Sequence, residues 1–115
     1  MKLIKKIVLA TAISGLATTG LFANDDLVKQ GEKIFNTLEL GNCFACHNVD
    51  NKKIDGPGSM GPKLVAMDAW PKEELYKKIY DPYTTNPTSQ MPAFGKNGNL
   101  SDQQIEAVIA YLQSK

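Results

Sequence analysis

Both cysteines and the only histidine of this 115-residue chain fall within five residues, Cys43-Phe44-Ala45-Cys46-His47. Whatever that segment holds, the rest of a small chain must fold around it. The C-x-x-C-H spacing is the pattern of haem attachment. Sulfurs three positions apart reach the two vinyl groups on one porphyrin edge, and the next residue carries its imidazole beneath the iron. Three other readings compete. A structural zinc site uses four nitrogen or sulfur ligands, and the chain has two Cys and one His in total. A thioredoxin-like redox pair lies near a βαβ pattern, which this sequence lacks. A plain Cys43–Cys46 disulfide suits an oxidising compartment but leaves His47 without a task. The expectation is therefore one covalent c-type haem, with Cys43 and Cys46 as thioether anchors and His47 as the proximal iron ligand.

The amino terminus fits that chemistry. Met1 to Lys6 carries three lysines and no acid, an apolar run follows from Ile7 to Ala17, and Gly20-Leu21-Phe22-Ala23 offers a small residue for cleavage. This is the layout of a secretory signal. A spanning helix needs roughly 20 apolar residues, whereas Thr18, Thr19 and Gly20 interrupt this run early. The expectation is a leader over residues 1–23, cleaved near Ala23, and a domain over residues 24–115 in the periplasm. Taking 3 lysines from 13 leaves 10 against 12 acids, so the formal +1 becomes −2. A chain so near neutral lacks the basic stripe that nucleic acid demands. A domain of this size builds only a thin core of its own, which a large apolar cofactor would complete.

The periodicity predicts an all-α domain: about three helices separated by long Gly- and Pro-rich loops. The first spans roughly Asp26 to Leu40, with Leu27, Gly31, Ile34, Phe35 and Leu38 on one face, Asp25 and Asp26 at its positive end and Gly41 as its stop. A polar loop covers residues 48–62. The second helix runs from Pro71 to about Tyr80, with Leu75, Tyr76 and Ile79 inward and Glu73–Lys77 and Glu74–Lys78 as i,i+4 pairs on the wet side. A loop from Tyr83 to Asn99 leads to the third helix. There Ser101 and Gln104 form a capping box, Leu100 and Ile105 a hydrophobic staple, and Ile105, Val108, Ile109 and Leu112 an apolar stripe.

With His47 committed, a sixth iron ligand must come from elsewhere, and the soft donor of electron-transfer cytochromes is methionine. Met60, Met67 and Met91 are the candidates in the expected mature chain. Met91 is the choice, because Pro87 and Pro92 stiffen its loop and the loop has no apolar periodicity for a filler methionine to join. Met60 is the alternative thioether, Lys96 a further donor, and Met67 reads as packing. A ligating histidine normally donates its other N–H to a carbonyl, for which Pro62 is the candidate. Leu64 would cover the haem face. Trp70 could give its indole N–H to a propionate, or pack half-buried.

With Gly31, Phe35, the Cys43–His47 segment, Met91-Pro92 and the ending Ala110-Tyr111-Leu112, the whole expected mature chain resembles class I cytochromes c. The resemblance implies that the first and last helices cross, with Gly31 permitting close approach and Phe35 meeting Tyr111 or Leu112. A narrower likeness, in residues 41–47, 58–64, 86–96 and 100–112, is to the SoxX family, the monohaem subunits of SoxAX thiosulfate-oxidising complexes. Met60 departs from that family, where a smaller aliphatic residue stands. The likeness implies a SoxA-like catalytic partner in a heterodimer, a SoxYZ-like sulfur carrier, and a downstream cytochrome as acceptor. The chain would relay the electrons released when thiosulfate is joined to a carrier cysteine, inside an L-cysteine S-thiosulfotransferase. It would have no catalytic residue of its own, because both thiols and the imidazole are already committed. The alternative is a class I cytochrome c that shuttles freely between respiratory complexes. A haem with an open sixth position, binding gases, is the weaker third.

Overall fold

The structure, a computed structural model, describes residues 19–49 and 60–115. The expected leader up to Thr18 and the loop residues 50–59 lie outside them. Three α-helices form in chain order: α1, Thr19–Asn36; α2, Lys72–Tyr80; and α3, Asp102–Gln113. Short 3-10 turns lie at Cys43–Ala45, Met67–Ala69 and Pro82–Thr84. Among the described residues no strand forms beyond one isolated parallel bridge, Val49 with Leu64. The all-α expectation holds.

The first helix is longer at its start and shorter at its end than its periodicity predicts. It begins at Thr19, so Asp25 and Asp26 lie inside it rather than at its positive end. It ends at Asn36 instead of Leu40, because side chains take over its last carbonyls. Asn36 Nδ2 donates to the Glu32 carbonyl at 2.9 Å, and the Thr37 hydroxyl to that of Lys33. Short polar side chains that bond backward in this way compete with helix continuation. Leu38 therefore leaves the apolar face and stands 73% exposed. Gly41 follows a turn in which its N–H reaches the Ile34 carbonyl at 3.2 Å.

Helices α1 and α3 cross at Gly31. A Cβ there would lie 1.9 Å from the Ala107 carbonyl oxygen and 2.8 Å from Tyr111 Cβ, so only glycine fits. Phe35 and Tyr111 meet beside the crossing with ring centroids 5.5 Å apart. Such tilted pairs add roughly 0.5–1.5 kcal/mol beyond the area they bury. The capping box of α3 forms in both directions. Ser101 N–H donates to Gln104 Oε1 at 2.8 Å, and Gln104 N–H to the Ser101 hydroxyl at 3.2 Å. Leu100, Ile105, Val108, Ile109 and Leu112 are all buried, which keeps the predicted staple and stripe.

Helix α2 buries Leu75 and Ile79 and keeps Tyr76 partly buried. Pro71 is its cap residue rather than its first helical position. The expected i,i+4 pairs give way to Lys77 with Glu74, an i,i+3 contact at 3.4 Å, and Lys72 with Glu106 of α3. Tyr76 donates its hydroxyl to Asp102 at 2.6 Å, tying α2 to the first turn of α3. This bond holds the phenol proton and, with desolvation adding to it, raises the Tyr76 pKa to about 12. Met67, read as packing, is buried in the common core.

Candidate haem-attachment site

Asn42 turns the chain into the cysteine segment with a left-handed backbone, φ 48°, which asparagine tolerates better than most residues. Cys46 N–H and His47 N–H then both donate to the Cys43 carbonyl, at 3.1 and 2.8 Å. The segment is thus wound into a single tight turn. Side chains three positions apart eclipse on a 3-10 turn, so the two thiols share a side. Gly41 shapes this turn as well: a Cβ on it would lie 3.0 Å from Cys43 Sγ and 3.1 Å from the Ile34 carbonyl. Sequence reasoning gave Gly41 only the role of a helix stop. Both cysteines are free thiols. Burial pushes the Cys43 thiol up to about 11, the Cys46 thiol adding a smaller push while a backbone hydrogen bond opposes it.

His47 is oriented by the loop that returns beneath it. Its Nδ1 lies 2.8 Å from the Pro62 carbonyl oxygen, the partner expected from sequence. A carbonyl only accepts, so the proton is on Nδ1 and the lone pair of Nε2 is left for a metal. Gly61 lets the loop come this close. A Cβ there would lie 2.6 Å from His47 Cε1 and 2.7 Å from Nδ1, and the Gly61 N–H donates to the Cys46 carbonyl at 2.6 Å. The next residues dock through Leu64 N–H to the Asn48 carbonyl, 2.8 Å. Gly61 was missed from sequence because its constraint comes from a ring 14 positions away.

Met91 is partly buried and packs against the same apolar core as Cys43, Leu64 and Phe94. Ser89 braces it: the Met91 N–H donates to the Ser89 hydroxyl at 3.1 Å, and that hydroxyl to the Met91 carbonyl at 3.4 Å. Met60 is 75% exposed and does not join this core. The Lys96 ammonium is paired with Asp81 at 3.4 Å. Trp70 is 44% exposed, and its carbonyl accepts from Gln113 Nε2 at 3.0 Å.

These residues fit a covalently held haem. Two thiols share one turn, an imidazole has one nitrogen engaged and the other free, and a thioether lies against the same core. Among the described residues no three His, Cys, Asp and Glu side chains cluster to hold a metal ion by themselves, and no helix is long and apolar enough to cross a membrane.

A model of the family described as cytochrome c oxidase, cbb3-type, subunit III matches residues 26–112, a span that holds the cysteine turn, Pro62 and Met91. The chain belongs to this family of cytochrome c domains. Electron transfer on haem is the activity that goes with the family. The chain is also 35% identical over 85 residues to cytochrome c6 of Leptolyngbya boryana, the match covering 74% of this chain and 88% of that protein. It is 36% identical over 74 residues to an uncharacterized lipoprotein of Aquifex aeolicus (strain VF5), covering 63% of this chain and 35% of that protein. The chain thus matches about a third of the lipoprotein's length and most of the cytochrome's.

Proposed function

We propose that this cytochrome domain carries single electrons in the periplasm on one c-type haem, bound through Cys43 and Cys46 and ligated by His47 and Met91. The observation that carries the reading is the bond from His47 Nδ1–H to the Pro62 carbonyl. It fixes the tautomer, turns Nε2 outward as the donor and makes the ring a stronger base. Haem bound here would supply a one-electron ferric–ferrous couple. The protein's own residues set its terms. The two thiols anchor it, Leu64 and the apolar core keep water from it, and the Met91 thioether favours the reduced state. Trp70, 44% exposed, would have its indole N–H available for a propionate.

The test is optical and electrochemical. The holoprotein should show a thioether-to-iron charge-transfer band and a reversible one-electron couple. Met91→Ala should abolish the band and lower the potential, whereas Met60→Ala should change neither. A band that survives Met91→Ala overturns the assignment.

A finer role follows from the SoxX-like stretches of sequence. In that reading the chain is the electron relay of a SoxAX-type complex, paired with a SoxA-like subunit that works on a SoxYZ-like carrier. The exposed Phe44, Tyr80 and Tyr83 are aromatic side chains of the kind that interfaces favour, which supports a lasting partner. The match to 88% of a cytochrome c6 supports the other role, a self-contained shuttle. An affinity pull-down from the periplasm of thiosulfate-grown cells separates the two. Co-purification of a stoichiometric second haem protein bearing a modified cysteine supports the relay, and recovery of the monohaem chain alone supports the shuttle.

A further inference from the structure

The loop that presents Met91 is tied shut at both ends by one buried carboxylate. Among the described residues Asp81 is the only buried charged side chain. Its Oδ1 accepts from the Tyr83 N–H at 3.1 Å, where the chain leaves α2. Its Oδ2 meets the Lys96 ammonium at 3.4 Å, where the same loop returns. Beside this pair the Lys96 N–H donates to the Tyr80 carbonyl at 3.0 Å. Gly95 presses on the Tyr80 ring so closely that a Cβ on it would lie 2.1 Å from Cδ2. Residues 82–95 are therefore a closed loop whose two ends meet at Asp81 and Lys96, with Met91 inside it.

Charging a buried carboxylate is unfavourable unless it is paired and hydrogen-bonded, so a residue of this kind at a loop closure needs a reason. A thioether is a weak ligand, and its hold on iron depends on how much freedom its loop loses when it binds. Closing the loop in advance removes most of that loss. We propose that Asp81 is a positioning residue for Met91: through Lys96 and the Tyr83 N–H it fixes the 82–95 loop so that the thioether is held at the iron. This role rests on Met91 being the sixth ligand.

The test uses the holoprotein and imidazole as an external competitor for the sixth position. Asp81→Asn keeps an acceptor for the Tyr83 N–H but removes the charge, and Lys96→Gln removes the partner from a side chain that is largely in solvent. Each should bind imidazole about fivefold more tightly, the size expected for losing one partly screened ion pair, and should weaken the charge-transfer band. Lys96→Gln leaves the mostly buried carboxylate without its cation and should lower the Tm, whereas Asp81→Asn should move it less, so imidazole binding is read well below either Tm. Lys96→Arg should restore both readings. If Asp81→Asn does not accumulate, Lys96→Gln decides the matter alone. A band that depends on Met91, together with imidazole binding indifferent to both variants, overturns the role of Asp81 and leaves Met91 ligation standing. A band that survives Met91→Ala overturns the ligation and this role with it.

Discussion

Replacing Gly31 by alanine sets two physical effects against each other with opposite signs. Helix propensity alone makes Gly31→Ala stabilising by roughly 0.8–1.0 kcal/mol, since alanine loses less backbone freedom in a helix. The crossing of α1 and α3 opposes it. The new Cβ would sit 1.9 Å from the Ala107 carbonyl oxygen and 2.5 Å from the carbonyl carbon. Both are backbone atoms of a buried helix and cannot rotate away. The helices must part by about 1 Å, which loosens contacts among Phe35, Val108 and Tyr111, all buried. Overpacking a core costs roughly 1–3 kcal/mol when side chains can adjust, and here they cannot, so the upper end applies. The net expectation is a loss of about 2 kcal/mol, or a Tm lower by roughly 8–16 °C for a domain of this size. Thermal unfolding of the holoprotein, followed at the helix signal, measures it. A variant with unchanged or higher Tm would mean that the helices do not cross at this residue.

Further outcomes follow from other contacts. Ser101→Ala removes the hydroxyl that accepts from the Gln104 N–H, leaving the backbone half of the capping box in place, and should cost about 1 kcal/mol, whereas Ser101→Asp should cost much less, as a denaturant titration will show. Gly61→Ala drives a methyl into the His47 ring and should displace the imidazole from the Pro62 carbonyl. NMR of the ferrous holoprotein checks this through the slowly exchanging Nδ1 proton, which should be lost. For Tyr76 the sign follows from its direction of shift: the folded state keeps the phenol proton up to about pH 12 against an ordinary 10.0. The tie between α2 and α3 is therefore complete below pH 10 and fades as pH climbs toward 12. A spectrophotometric titration should find that Tyr76→Phe removes one tyrosine that ionises near pH 12.

The parts of the molecule that were legible in the sequence are those whose signals are local. The capping box is written in Ser101 and Gln104, the apolar stripe in the spacing of Ile105 to Leu112, and the attachment turn in five consecutive residues. The Pro62 carbonyl could be anticipated because a ligating histidine needs an acceptor and a Gly-Pro loop follows it. The end of α1 was misjudged because Leu38 continues the apolar period, while the bonds from Asn36 and Thr37 that stop the helix leave no mark in periodicity. The ion pairs were misassigned because Glu74 and Lys77 choose their contact by rotamer, and because Lys72 reaches Glu106 on another helix. Gly61, Ser89 and the Asp81–Lys96 pair do their work through partners brought near by the fold, and no pattern of spacing announces them.

The central claim is that Cys43 and Cys46 bind one haem covalently. Its most direct test is the intact mass of the protein from cells able to mature c-type cytochromes, measured after acid and organic solvent have unfolded it. The account predicts a mass greater by one haem, retained through the extraction, with both thiols closed to alkylation. A chain that gives up its haem to the solvent and leaves Cys43 and Cys46 free to alkylate would contradict it.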